Sequence, residues 1–315
     1  MTTLAVITNQ GSTRNLRRDN WIDPMLAAEA NVVHFKVTRA EQVAEAVAQS
    51  AAAGADTIVV NGGDGTADLV FAALLNGSAY LTLPSLALLP AGKTNMTTAG
   101  WSSTGTPEMA LARILQSRHE GALAQYVVNR AVLCLRQDAT TPPLYGAFFG
   151  AAEIIDGIHF CRRHIYPLKL PNSLSHMAAM SVLLWRGLLA RSDRGAVHIS
   201  DGGTVIEEGD FFVVAVTALD ELLLGLQPAT ASDEGAEPLH YISLRAGLRP
   251  ISGMLPALMN RRITSGPGRT VRRMDRLTLR FTGAYTLDGE LYEADAAQPL
   301  ELDGSRRLNF IRIPA

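Results

Sequence analysis

Cysteine is almost missing from this chain of 315 residues: Cys134 and Cys161 are the two present, and neither stands in metal-ligand spacing. That excludes a disulfide framework and points to a reducing compartment. Only three lysines occur, Lys36, Lys93 and Lys169, so arginine carries nearly all the positive charge. With 18% charged residues and a formal charge of −2, no global field draws nucleic acid, and no nucleic-acid partner is expected. The seven histidines show no paired helical spacing. There is no internal repeat and no low-complexity segment, and Ala229 to Pro238 reads as an exposed acidic loop. Because Met1-Thr2-Thr3-Leu4 enters a strand directly, no secretory signal is read and a cytoplasmic protein is expected. Leu69 to Gly92 lacks charge over a length that could cross a bilayer, but Asn76, Gly77, Pro84 and Pro90 break it into helix, turn and buried strand.

What is present is an ordinary globular composition, 47% hydrophobic, at a length that suits two domains. The first part alternates strand and helix over Leu4 to Thr8, Asp23 to Ala30, Val32 to Val37, Arg39 to Ala53 and Thr57 to Val60. Such alternation predicts a doubly wound parallel sheet in an α/β domain. Thr38-Arg39-Ala40-Glu41 reads as a capping box and Gly54 as the helix stop. Leu86 to Leu89 is a further strand, and Thr106-Pro107 opens a helix to about Gln116. From about residue 127 the chain turns β-rich, with strands expected at Val132 to Leu135, Tyr145 to Phe149, Val197 to Ser200, Phe211 to Thr217, Tyr241 to Leu244 and Leu277 to Phe281. Met177 to Leu189 interrupts them with a helical pattern. The expected domains are 1–126, joined by the tail 305–315, and a largely antiparallel second domain over 127–304.

Ligands of doubly wound sheets gather beyond the carboxyl ends of the strands, so the turns there carry the chemistry. After Thr57-Ile58-Val59-Val60 comes Asn61-Gly62-Gly63-Asp64-Gly65-Thr66, leading into helix formers from Ala67 to Leu75. Free amides and the positive end of a helix dipole favour an anion there, and glycines let a phosphate approach the main chain. Asp64 would repel phosphates unless a cation lay between, which a shared magnesium ion provides. The alternative is a glycine-rich turn with Asp64 as a helix cap. Asn9-Gln10-Gly11-Ser12-Thr13 and Pro90-Ala91-Gly92-Lys93-Thr94-Asn95 follow two other strands, so three polar, glycine-containing loops share one edge. A P-loop is excluded, because Ala87 stands where its first glycine is needed. Far downstream, Tyr285 to Tyr292 has the layout of a hairpin turning at Asp288-Gly289, with a second carboxylate at Glu290.

These residues resemble the diacylglycerol-kinase-like lipid kinases, which share their nucleotide-binding architecture with NAD kinases. Gly62-Gly63-Asp64-Gly65-Thr66 matches the family's Gly-Gly-Asp-Gly-Thr, followed by Pro90-x-Gly92-x-x-Asn95 and by Asp288-Gly289-Glu290. The resemblance implies an ATP-binding N-terminal domain, a β-sandwich second domain that helps receive lipid, and a site in the cleft between them. It assigns nucleotide contacts to Asn9, Gln10, Gly11, Ser12, Thr13, Thr38, Gly62 to Thr66, Gly92, Lys93, Thr94 and Asn95. Asp64 works on the magnesium side, Glu290 matches the proton acceptor and Asp288 its partner carboxylate. The implied cofactors are ATP and Mg2+, and the implied acceptor is a lipid alcohol, diacylglycerol being the family's commonest.

The chain departs from the family at Lys93, Met96 and Asp68, where threonine, aspartate and asparagine are usual. The family's glycine-rich segment appears as Leu222 to Pro228 and the Asp-Gly that follows is displaced to Asp233-Glu234-Gly235, so the resemblance weakens the case for a structural magnesium site and leaves Asp233 as its implied remnant. Two alternatives stay open: phosphorylation of a soluble nucleotide in the manner of NAD kinases, and a nucleotide-binding regulatory protein without turnover. A homodimer also stays open. Arg245, Arg249, Arg261, Arg262, Arg269, Arg272, Arg273, Arg276 and Arg280 fall in a stretch whose only acid is Asp275. That imbalance reads either as a solvated face or as peripheral contact with an anionic membrane.

Overall fold

The β-branched and apolar runs of the first part form parallel strands in the computed structural model, which describes residues 3–17, 20–102, 105–152, 197–222, 225–229, 237–245, 250 and 254–314. The chain divides into two compact units, Met1–Arg130 with Arg306–Ala315, and Ala131–Ser305. In the first, β1 (Thr3–Asn9), β2 (Val32–Val37), β3 (Ala55–Gly62) and β4 (Ser85–Pro90) lie in the order β2-β1-β3-β4, all parallel. The end of the last strand joins them, Asn309 and Phe310 pairing with Ser85 and Leu86 of β4.

Helices cover both faces of this sheet, as a parallel sheet requires. Leu4 and Val6 of β1, Val59 of β3, and Ala87 and Leu89 of β4 form one core with Ile22 and Leu26 of α1 (Ile22–Leu26) and with α5 (Pro107–His119). The alternate residues Ala5, Ile7, Ile58 and Val60 are equally buried on the other face, where α2 (Ala40–Ala52) and α3 (Asp64–Asn76) pack. Between α3 and α5 lies α4 (Met96–Trp101), a helix not expected from the sequence. Its Trp101 packs on Phe310, with ring centroids 4.9 Å apart, and Phe310 meets Phe71 of α3 edge-on at 5.7 Å. Ser102 Oγ accepts from Leu88 N and donates to Ile311 O, both at 2.9 Å, tying β4 to the final strand.

Local signals were read well where a single turn carries them. Thr106 caps α5, its Oγ1 accepting from Met109 N at 3.3 Å, and Gly54 ends α2 at φ +70°. The box opening α2 is a correction. Gln42, not Glu41, reaches back, its Oε1 accepting from Thr38 N at 2.8 Å and Arg39 N at 3.1 Å, because the helix starts one residue later than read. Another correction concerns the first helix, which ends at Leu26 rather than Ala30.

The second unit is antiparallel and β-rich. After β5 (Val127–Arg136) come β6 (Leu144–Gly146), β7 (Phe148–Ala152), β8 (Val197–Asp201), β9 (Thr204–Gly209), β10 (Phe211–Thr217), β11 (Gln227–Pro228) and β12 (Leu239–Arg245). A short helix α6 (Leu255–Asn260) leads to β13 (Arg262–Ile263), β14 (Arg269–Met274), β15 (Arg276–Arg280), β16 (Gly283–Leu287), β17 (Glu290–Ala294) and β18 (Leu300–Ile311). Six strands pair antiparallel in the order β14-β12-β10-β7-β16-β17. A second layer pairs β9, β8, β15 and the first residues of β18. The layers are pinned by Glu207 of β9, which accepts from Tyr241 Oη (2.6 Å), Ser243 Oγ (2.5 Å) and Thr270 Oγ1 (2.8 Å). Burial pushes the Glu207 carboxyl upward, and these hydroxyls with Arg245 outweigh it, leaving the pKa below the usual range. The helical pattern at Met177 to Leu189 lies outside the described residues.

Candidate active site

Three loops at the carboxyl ends of β1, β3 and β4 are tied into one body. Asn9 ends β1, and its side chain is fully engaged: Oδ1 accepts from Gly11 N at 2.9 Å and Nδ2 donates to Thr66 Oγ1 at 2.8 Å. Arg14 N donates to Ala91 O (3.0 Å), and Ala91 N to Gly62 O (3.1 Å), so each loop holds a neighbour. The carbonyls of Asn9 and Asn61 both accept from Asn15 Nδ2, at 2.8 and 3.2 Å. Asn15 was not singled out from the sequence. Its available signal was being one of several asparagines near strand ends, where a side-chain amide substitutes for missing backbone partners.

The glycines serve contact between backbones. A Cβ on Gly92 would fall 2.5 Å from the Gly63 Cα, and one on Gly62 would fall 2.5 Å from the Thr66 Cβ. Both positions therefore exclude a side chain whether or not a phosphate is bound. Asn95 adds a clamp on its own loop, Oδ1 accepting from Gly92 N (2.7 Å) and Nδ2 donating to Gly92 O (3.0 Å), with its backbone left-handed at φ +54°.

The helix after the glycine turn begins at Asp64, earlier than read, so Asp64, Gly65 and Thr66 form its first turn. Thr66 N donates to Gly63 O at 3.0 Å, so the amides that precede the first intrahelical bond are those of Asp64 and Gly65, a position that suits an anion. Asp64 serves as a cap, though not of its own helix: its carboxylate accepts from Met96 N at 3.1 Å and Thr97 N at 3.2 Å, at the start of α4. Burial raises its pKa against the pull of the Met96, Thr97 and Thr98 amides. Of the other expected nucleotide contacts, Gln10, Gly11 and Thr94 are exposed, Thr13 and Lys93 half-buried and Ser12 buried. Thr38 follows β2 beside the first loop, where Gln10 N donates to Val37 O at 2.9 Å, and its hydroxyl donates to Gln42 Oε1 at 3.2 Å.

In the second unit, Asp288 and Gly289 take φ +47° and +93° in a two-residue turn between β16 and β17. That is the type I′ geometry favoured in tight hairpins. The Asp288 carboxylate accepts from Ala147 N (2.6 Å) and Phe148 N (3.0 Å), while Asp288 N donates to Phe148 O (2.9 Å). This contact splits the strand read at Tyr145 to Phe149 into β6 and β7. Ala147 O accepts from Thr217 Oγ1 (2.8 Å) and Ala218 N (3.0 Å), so every backbone group at the break is satisfied. The extended spacing that would aim Asp288 and Glu290 to one side is absent, because Asp288 sits in the turn itself. Glu290 opens β17 opposite Leu287, exposed. Asp233 lies outside the described residues.

Residues 3–125 match the family model described as the diacylglycerol kinase catalytic domain. A solved diacylglycerol kinase structure from Bacillus anthracis str. Sterne aligns at 15% identity and a TM-score of 0.62, covering 98% of this chain and 96% of its own. Another, from the same strain and with a provisional diacylglycerol kinase designation, aligns at 16% identity and a TM-score of 0.66, with 98% and 96% covered. At these identities the likeness is one of fold. No curated protein matches the sequence. Residues 3–125, which include the glycine turn, are thus similar to a diacylglycerol kinase catalytic domain, and the whole chain shares its fold with those solved structures.

Proposed function

We propose that this chain is an ATP- and magnesium-dependent lipid kinase that transfers the γ-phosphate to a lipid hydroxyl, with a diacylglycerol-like acceptor. The observation that carries the reading is the tied set of loops at the carboxyl ends of β1, β3 and β4, with Gly63 and Gly92 in close approach above the first turn of α3. The donor chemistry suits magnesium: Asp64 is a carboxylate, the hard oxygen ligand that ion prefers, with Oδ2 accepting from Met96 N and Oδ1 from Thr97 N. Among the described residues no cluster of three His, Cys, Asp or Glu side chains could hold a metal, so phosphate oxygens would complete the shell. Bound there, magnesium offsets charge on the phosphate oxygens. Amides of the α3 first turn orient the phosphates. Glu290, whose backbone pairs with Leu287 while its exposed carboxylate makes no hydrogen bond or ion pair among the described residues, takes the proton of the acceptor hydroxyl. Asp288 positions the hairpin that presents it.

Membrane contact belongs to the same reading. Arg245 stacks over Phe211 with its carbon 5.0 Å from the ring centroid, Arg269 donates to Thr264 O and Arg276 lies 3.9 Å from Asp201, so these three are engaged within the unit. Arg249 lies outside the described residues. Exposed Arg261 and Arg262 follow Met259, itself 85% exposed, and such a pairing suits the anionic surface where a lipid acceptor resides. No helix among the described residues is long and apolar enough to cross a membrane.

The test is purified protein with ATP and magnesium against a panel of lipid alcohols and soluble NAD, analysed by organic extraction and mass spectrometry. A phosphorylated lipid is expected. Phosphorylation of NAD alone would favour the soluble-nucleotide alternative, and nucleotide binding without any product would favour a regulatory protein.

A further inference from the structure

The face of the first sheet that packs under α1 and α5 is apolar along most of its length, yet towards the carboxyl ends it carries Thr8, His34 and Asn61. Polar groups so placed lose hydration and need partners. They are joined in series. Lys36 Nζ lies 2.5 Å from Asp23 Oδ2, and Asp23 Oδ1 lies 3.1 Å from His34 Nδ1. His34 Nε2 is 2.9 Å from Thr8 Oγ1, which accepts from Asn61 Nδ2 at 3.4 Å. The far end is unfinished: Asn61 is 0% exposed and its Oδ1 has no hydrogen-bond partner among the described residues.

Chemistry fixes the direction of each bond. A carboxylate only accepts, so His34 Nδ1 carries the proton and Nε2 of the neutral ring accepts the Thr8 hydroxyl hydrogen. The series ends on the residue immediately before Gly62 and Gly63, whose carbonyl is held by Asn15.

We propose that His34, oriented by Asp23, is a positioning residue for the glycine turn, setting through Thr8 which end of the Asn61 amide faces that turn. The inference rests on the reading of the turn as a nucleotide site. A proton added at Nε2 makes that nitrogen a donor to Thr8 Oγ1. The Thr8 hydrogen then points to Asn61, whose amide turns its oxygen inward and places Nδ2 where Oδ1 now lies. One proton bound at the imidazole thus exchanges an acceptor for a donor beside Gly62. The charged groups facing His34 are Asp23 from α1 and Lys36 from its own strand, while β1 offers only neutral Thr8. Burial lowers the His34 pKa and Asp23 opposes this, so the change falls on the acid side of the ordinary histidine range.

The test follows the side-chain amide of Asn61 and the backbone amides of Gly62 and Gly63 by NMR across a pH titration of the ligand-free protein. These signals should move with the His34 ring in the wild type and stay still in Thr8→Val, in which His34 still titrates. Signals that ignore His34 in the wild type, or still follow it in Thr8→Val, overturn the proposal. Calorimetry with Mg-ATP gives the functional readout. As His34 protonates and the Asn61 N–H replaces an acceptor beside the phosphate site, wild-type affinity should rise relative to His34→Gln by about fivefold, the worth of one neutral hydrogen bond. An unchanged ratio overturns the functional part. Absence of nucleotide binding at any pH would sink the kinase reading instead, and the amide titration would still decide the relay.

Discussion

Asp64 and Asp288 lie in different units, each beside glycine in a tight turn, and each accepts two consecutive backbone N–H groups. Asp64 takes the first amides of α4 and thereby locks the third loop to the glycine turn. Asp288 takes Ala147 and Phe148 and thereby fixes a break between two strands. The difference lies in what remains around them. Beside Asp64 stands the N-terminus of a 13-residue helix, where Thr66 N already donates to Gly63 O and the amides of Asp64 and Gly65 precede the first intrahelical bond, a setting for an anion. Beside Asp288 every backbone group is satisfied, and in the proposed function the chemistry passes to exposed Glu290. A motif carboxylate can therefore be a structural pin in both units while only one of the two pins adjoins the loops proposed to bind phosphate.

The sharpest way to break this comparison is Glu290→Gln, which should lower turnover by about 10²–10⁴-fold, the usual worth of general base help, and leave Mg-ATP affinity and unfolding unchanged. Steady-state kinetics with calorimetry checks it, and equal turnover would remove Glu290 from the mechanism. Next comes Asp288→Ala, which orphans the Ala147 and Phe148 amides. Denaturant unfolding should show a loss of about 3–5 kcal/mol, and nucleotide affinity should hold. If affinity falls and stability does not, Asp288 is no pin. Gly92→Ala forces the third loop off Gly63 and should cost about 1–3 kcal/mol with weaker nucleotide binding, a paired effect absent from the hairpin variants. The smallest effect is on pH dependence. Because the Glu207 pKa lies below its usual value in the folded state, its contribution is present above the unfolded carboxylate pKa and fades as pH falls through the lowered one. Glu207→Gln should flatten that acid limb of the unfolding curve.

Much of the fold was legible because its signals are local. Alternating runs gave the parallel strands, Thr106-Pro107 and Gly54 marked helix ends, and Asp288-Gly289 marked its turn. What escaped reading depends on partners distant in sequence. Asn15 is defined by carbonyls at positions 9 and 61, α4 by the carboxylate at 64, and the β6 to β7 break by Asp288, more than a hundred residues away. No periodicity encodes such pairings. The site residues were legible as a cluster of loops, whereas their engagement in backbone hydrogen bonds was not. The glycines at 63 and 92 illustrate this: read as room for phosphate, they are first required by each other.

The central claim is that the carboxyl ends of β1, β3 and β4 hold a nucleotide's phosphates, and amide mapping by NMR during a Mg-ATP titration tests it most directly. The account predicts that the amides of Gly11, Gly63, Gly65 and Gly92 shift and saturate together. Amides at those four positions that stay unmoved while calorimetry registers saturated Mg-ATP binding would contradict it.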